Sequence, residues 1–138
     1  MQVPVGLTER LFADISARIR SRAAVFGVDM CVHGSRASGT ALPDSDLDVA
    51  IRVPETDFEA VLLGRFPNAK PGTAKERTML HARAQGKIQT GELGLSGLRR
   101  ELEQLLGMKV QISVVRVNGP FDRGPYIPLS IGEEERAR

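Results

Sequence analysis

Apolar residues recur every three or four positions near the start of the chain: Leu7, Leu11, Ile15 and Ile19, with Phe12 widening the stripe. That period predicts an amphipathic helix over 7–26, with Thr8 placed to cap it and Gly27 to stop it. Met30 to His33 then read as a short strand running into Gly34-Ser35. Residues 36–41 begin a short helix, which 42-LPDS-45 breaks, because Pro and Asp initiate turns. Leu47 to Val53 are a second strand. Pro54 opens a helix to about Leu63, with Phe58, Val61 and Leu62 facing inward. After a loop over 64–72, Thr73 and Glu76 have capping-box spacing, so a helix should run from Thr73 to about Gln85 and end at Gly86. Ser96 to Leu106 form another, with Leu98, Leu102, Leu105 and Leu106 on one side and Gly107 as its stop. Lys109 to Val117 alternate and are β-branched, as in a strand. Residues 118–132 are too rich in Pro and Gly for regular structure. The order α-β-α-β-α-α-α-β predicts a small α/β (α+β) fold with a short mixed sheet and helices packed on it. It reads as one domain over 1–138, with an irregular tail from 117.

Composition adds bounds. The chain has 138 residues, 41% hydrophobic and 26% charged, as in an ordinary globular protein. A net charge of +2 is too small to signal nucleic-acid binding, but its distribution is uneven. Arg65, Lys70, Lys75, Arg77, Arg83 and Lys87 crowd the stretch 65–91, opposed only by Glu76. Such an excess suits a triphosphate or an RNA backbone, and equally a solvated helix face. The single cysteine, Cys31, excludes a disulfide framework and reads as a buried strand residue. No apolar run reaches transmembrane length and no signal peptide is evident, so action in a cytosol, or export by other means, is expected. His81 shares a helix face with Thr73, Arg77 and Gln85, best read as solvated.

The chemistry is concentrated in 34-GSRASGTALPDSDLDV-49. Asp46 and Asp48, one residue apart on a strand, would point to the same side. Two like charges so close repel unless a cation lies between them, and a divalent metal is the obvious candidate. Gly34 lets a phosphate approach the backbone, and Ser35 and the amides that follow it offer donors. Mg²⁺ prefers oxygen ligands and shares its shell with substrate phosphates. Asp44, after Pro43, belongs to a turn, where it readily accepts backbone hydrogen bonds. His33 is assigned to packing at a strand end.

This apolar strand, Gly-Ser, spacer and Asp-x-Asp closely resemble the signature of minimal nucleotidyltransferases of the DNA polymerase β superfamily. The resemblance implies a mixed sheet of that fold, Asp46 and Asp48 as Mg²⁺ ligands, and an NTP held near Gly34, Ser35 and Arg36; Lys75 and Arg77, from the basic stretch, are further candidates to hold the nucleotide. Members commonly carry a third acid on a later strand, and Gln111 occupies the matching position here. Glutamine offers a carbonyl oxygen but accepts no proton. Three explanations stay open: a subgroup using another base, a protein that kept only nucleotide binding, or a residue altered to silence a harmful enzyme.

The distal half, through 119-GPFD-122, also resembles nucleotidyltransferase-fold domains at the C-termini of bacterial polymorphic toxins. That implies transfer of a nucleoside monophosphate to an RNA hydroxyl, with a tRNA 3′ end among the candidates. It further implies delivery into the cytoplasm of a neighbouring bacterium and a cognate immunity protein. Two alternatives remain: an antitoxin that nucleotidylates a partner protein, and a catalytically dead module that binds NTP or protein.

Overall fold

The computed structural model describes residues 2–131. In chain order the elements are α1 (Glu9–Ala23), β1 (Asp29–His33), α2 (Ser35–Ser38), β2 (Leu47–Val53), α3 (Glu55–Arg65), α4 (Ala74–Gln85), β3 (Lys87–Ile88), α5 (Ser96–Leu106), β4 (Val110–Arg116) and β5 (Ile127–Pro128). They form one mixed five-stranded sheet in the order β3-β4-β2-β1-β5. Only the central pair, β2 and β4, is parallel; β1 runs antiparallel to β2.

Local signals set most boundaries. Thr8 caps α1 by accepting from the Leu11 amide at 3.1 Å. Thr73 caps α4 in the same way, while Glu76 reaches back to the Gly72 amide. Gly86 and Gly107 end their helices in the left-handed conformation, which glycine adopts without a Cβ penalty. One expected inward residue is not inward: Leu105 of α5 is 39% exposed.

Alternation along the strands divides the sheet into two unlike faces. Met30, Val32, Leu47, Val49, Ile51, Val53, Ile112 and Val114 face the helices, where they pack with Phe12, Ile15, Ile19, Phe58, Leu62 and Leu102 in the main core. Burial of this apolar area is the dominant favourable contribution to folding. The other face carries Asp48, Ala50 and Arg52 of β2, Cys31 and His33 of β1, and Gln111 and Val115 of β4.

Two strands escape the sequence pattern. β3 and β5 have two residues each, too short for a period to show. The tail expected to be wholly irregular therefore contributes an edge strand, with Cys31 opposite Pro128 and Val32 opposite Ile127. Residues 132–138 of that tail lie outside the described residues. Beyond β3 the edge of β4 is closed by side chains: Thr90 Oγ1 bonds both the amide and the carbonyl of Ile112 at 2.8 Å, and Glu103 accepts from the Val110 amide at 2.9 Å.

Between β4 and β5, residues 118–126 cross the second face as a strap. Asp122 fixes it. Its carboxylate, 3% exposed, accepts from Arg52 Nε at 2.7 Å and Nη2 at 2.9 Å, and from the Asn118 amide at 2.8 Å. The Tyr126 hydroxyl donates to the same carboxylate, and the Arg52 guanidinium lies 4.5 Å from the Tyr126 ring centroid. Under the strap, Cys31, Ala50 and Val115 are buried as a second small cluster. Burial pushes the Cys31 thiol up to about 12, so it is inert packing, as its place in an apolar strand suggested.

A candidate nucleotide site on the uncovered part of the sheet

Strand register assembles the candidate residues. His33, the last residue of β1, is opposite Asp48 of β2, and Asp48 is opposite Gln111 of β4. Register partners share a face, so His33, Asp48 and Gln111 form a row across three strands. Asp46 immediately precedes β2, and its charge helps raise the Asp48 pKa. Burial is the larger cause of that rise, and the nearby His33 and Lys87 oppose it. Among the described residues neither carboxylate makes a hydrogen bond or ion pair. His33 is shifted the other way: burial lowers its pKa and favours the neutral ring.

Gly34 follows His33 with φ 77° and ψ −160°, a region open essentially to glycine alone. A Cβ built there would lie 2.7 Å from Asp48 Oδ2. The sequence reading gave Gly34 to an approaching phosphate; the fold needs it also to leave room for the neighbouring carboxylate. Gly34→Ala is therefore expected to cost about 1–3 kcal/mol of stability and to displace Asp48. An unchanged melting temperature would show that the backbone there is not constrained as described.

Three further candidates are placed elsewhere. Arg36 is 3% exposed, and its guanidinium is turned into the fold. It donates to the carbonyls of Ser45 at 2.7 and 3.0 Å, Val5 at 2.8 Å and Pro43 at 3.2 Å. It thus pins the turn that delivers Asp46, and no donor pair is left aimed at a phosphate. Lys75 and Arg77 sit on α4, which packs into the helix-side core through Ala82. Lys75 donates to the Pro67 carbonyl and Arg77 to that of Gly72 at 3.1 Å. The structure does not bring them to the carboxylates.

The rest of the basic stretch is also dispersed. Arg83 pairs with Glu59, and Arg65 donates to the Glu92 carbonyl at 2.7 Å. Lys87 is the member whose charge reaches Asp48 and His33. His81 is exposed, as a solvated face requires. Asp44 lies in the expected turn, but the side chain that accepts there is Ser45, from the Leu42 amide at 2.9 Å.

A family model described as a nucleotidyltransferase domain matches residues 13–136. The chain belongs to that family. No curated protein and no solved structure matches it. The mixed sheet with flanking helices is the fold of polymerase-β-type nucleotidyltransferases. Among the described residues no three His, Cys, Asp or Glu side chains gather as a metal cluster. Two carboxylates still suit Mg²⁺, which is commonly bound by one or two carboxylates plus substrate phosphates. The donor set of Asp46 and Asp48 fits such an ion: hard oxygens, adjacent and without a partner cation in contact. Among the described residues no helix is long and apolar enough to cross a membrane.

Two clefts flank these carboxylates. One, of about 380 Å³, lies between His33, Gly34 and Ser38 on one side and the strap on the other. The second, of about 540 Å³, includes Asp46, Asp44, Glu103 and Lys109. The strap wall is the part that sequence reasoning missed. A partial signal was present: Arg52 is the cation of a central strand that is apolar apart from it and Asp48, and a cation so placed demands a partner.

Proposed function

We propose that the chain transfers a nucleoside monophosphate from an NTP to an RNA hydroxyl, with Asp46 and Asp48 holding Mg²⁺. The observation that carries this reading is Asp48, half-buried beside a second carboxylate, unpaired, and packed against the Cβ-free backbone of Gly34. The ion would neutralise charge on the triphosphate and on the departing pyrophosphate. The chain's own groups bind and orient. Gly34 admits a phosphate to the backbone, Ser35 offers its hydroxyl, and Lys87 contributes positive charge near Asp48. The acceptor oxygen bonds to the α-phosphorus, the bond to the β-phosphate oxygen breaks, and the acceptor proton leaves to solvent. Gln111 can orient the acceptor through its amide but takes no proton.

In this reading the domain acts as a bacterial toxin in the cytoplasm of a neighbouring cell, restrained in the producer by an immunity protein. The Gly119-Pro120-Phe121-Asp122 resemblance supports it. The test is incubation with each α-labelled NTP, total RNA and Mg²⁺. Label in RNA supports the proposal. Label in a partner protein would replace it with the antitoxin activity.

A second reading, NTP binding without transfer, is favoured by Gln111 standing opposite Asp48. Gln111→Asp separates the two. A third carboxylate should raise transfer by about tenfold or more, since a positioned base contributes at least that much. It should also lower the melting temperature in chelator through like-charge repulsion and enlarge the rise that Mg²⁺ produces. An unchanged Mg²⁺ response would place Gln111 outside the site. Nucleotide binding with no transfer by either protein would establish the binding module.

A further inference from the structure

The strap wall has no part in the phosphate chemistry, yet it is built with care. Phe121 is 39% exposed and lines the cleft of about 380 Å³ together with Arg123 and Pro125. Its ring is held in place: the Lys87 ammonium lies 4.8 Å from the centroid, and the neighbouring Asp122 locks the strap to Arg52. Arg123 is steadied by donating to the Pro120 carbonyl at 2.9 Å. The opposite wall is Gly34, the same glycine that abuts Asp48, with His33 and Ser38. The cleft thus borders the carboxylate site at Gly34, is largely apolar at the strap, and lies within the size range of small-molecule pockets, roughly 300–1,000 Å³.

We infer that this cleft takes the nucleoside end of the NTP, with the base lying against Phe121. The inference rests on the transfer reading above for the phosphates at Gly34 and Ser35. A nucleotide anchored there must direct its base and ribose into adjoining space, and this cleft shares the anchoring glycine. A flat, fixed, half-exposed aromatic ring is the surface a nucleobase stacks on, and every base has the π-face required. The polar second cleft, lined by Asp44, Asp46 and Glu103, offers no such ring. Recognition through Phe121 therefore adds affinity for any base and selects little among them.

The test uses the full chain with Mg²⁺ and the α,β-methylene analogues of the four NTPs, which bind without transfer, alongside inorganic triphosphate. Calorimetric titration of wild type should show tighter binding of the nucleotides than of inorganic triphosphate. Phe121→Ala should weaken all four nucleotides about tenfold, the usual loss of one stacking partner, and leave inorganic triphosphate unchanged. Phe121→Tyr keeps the ring and should bind as wild type does. A melting curve checks folding, which a partly exposed ring should scarcely affect. Equal wild-type affinity for nucleotide and inorganic triphosphate would overturn the inference. So would nucleotide affinity that survives Phe121→Ala; if that variant weakened only the binding of RNA in a parallel titration, the cleft would belong to an acceptor base. Nucleotide binding that behaves as expected, with no label passing to RNA, would instead sink the transfer reading and leave this subsite standing.

Discussion

Asp48→Asn is expected to lose Mg²⁺-dependent transfer by about two to three orders of magnitude, the several kcal/mol that metal-borne charge stabilisation supplies. The same variant should be more stable than wild type in chelator. Burial and Asp46 raise the Asp48 pKa above its unfolded value, so the folded protein binds the proton more tightly than the unfolded chain does. Below the ordinary carboxylate range the two proteins should melt alike. As pH rises through that range and past the raised folded value, wild type should lose stability relative to the variant. Mg²⁺ should narrow the gap, because it binds the folded carboxylates and not their amide replacement. Melting curves across pH, with chelator and with Mg²⁺, read both effects. A variant that is less stable in chelator, or that retains turnover, would make Asp48 a structural residue.

The largest loss of stability should come from Asp122→Ala. The substitution leaves Arg52 with only the outlying Asp29 at 3.2 Å and strips Tyr126 and the Asn118 amide of their acceptor. Removing one partner of a buried pair costs about 3 kcal/mol or more, which lowers the melting temperature of a chain this size by on the order of 10 °C. Hydrogen bonds from Arg52 and Tyr126 hold the Asp122 carboxyl well below the usual range. Its stabilisation is therefore complete above the unfolded carboxylate pKa, near 3.9, and is lost as pH falls toward the lower folded value. Wild type and variant should converge in strong acid. A loss below about 1 kcal/mol, the worth of an exposed pair, would mean that the strap is held by its apolar contacts instead.

What could be read in the sequence was what depends on period and on glycine. The stripe from Leu7 to Ile19, the Thr73 cap and the stops at Gly86 and Gly107 all specify local structure by local chemistry, and each is found where expected. Gln111 was tied to Asp48 through the resemblance to the nucleotidyltransferase signature, and the strand register sets the two opposite each other. Arg36, Lys75 and Arg77 illustrate the limit. Long cationic side chains have several acceptors within reach, and which one they take depends on tertiary packing. In each case a nearby carbonyl is the acceptor. Arg52 signals that a partner exists, but its identity was not legible for a related reason: Asp122 is far away in sequence, and no period marks a pair that meets only in the fold.

The sheet order also sets a timetable. Asp48 lies on a strand whose parallel neighbour comes from the far side of three helices and a third strand in the chain, and the strap arrives later still. Loops that long must close before their contacts reward them, so the distant pairing forms slowly. During synthesis the β1–β2 pair emerges first, with its carboxylates exposed and no second wall beside them. Under the proposed function, the nucleotide cleft has no second wall until the strap has crossed the face and β5 has docked on β1. The face that carries Asp48 is thus the last part of the described fold to be completed.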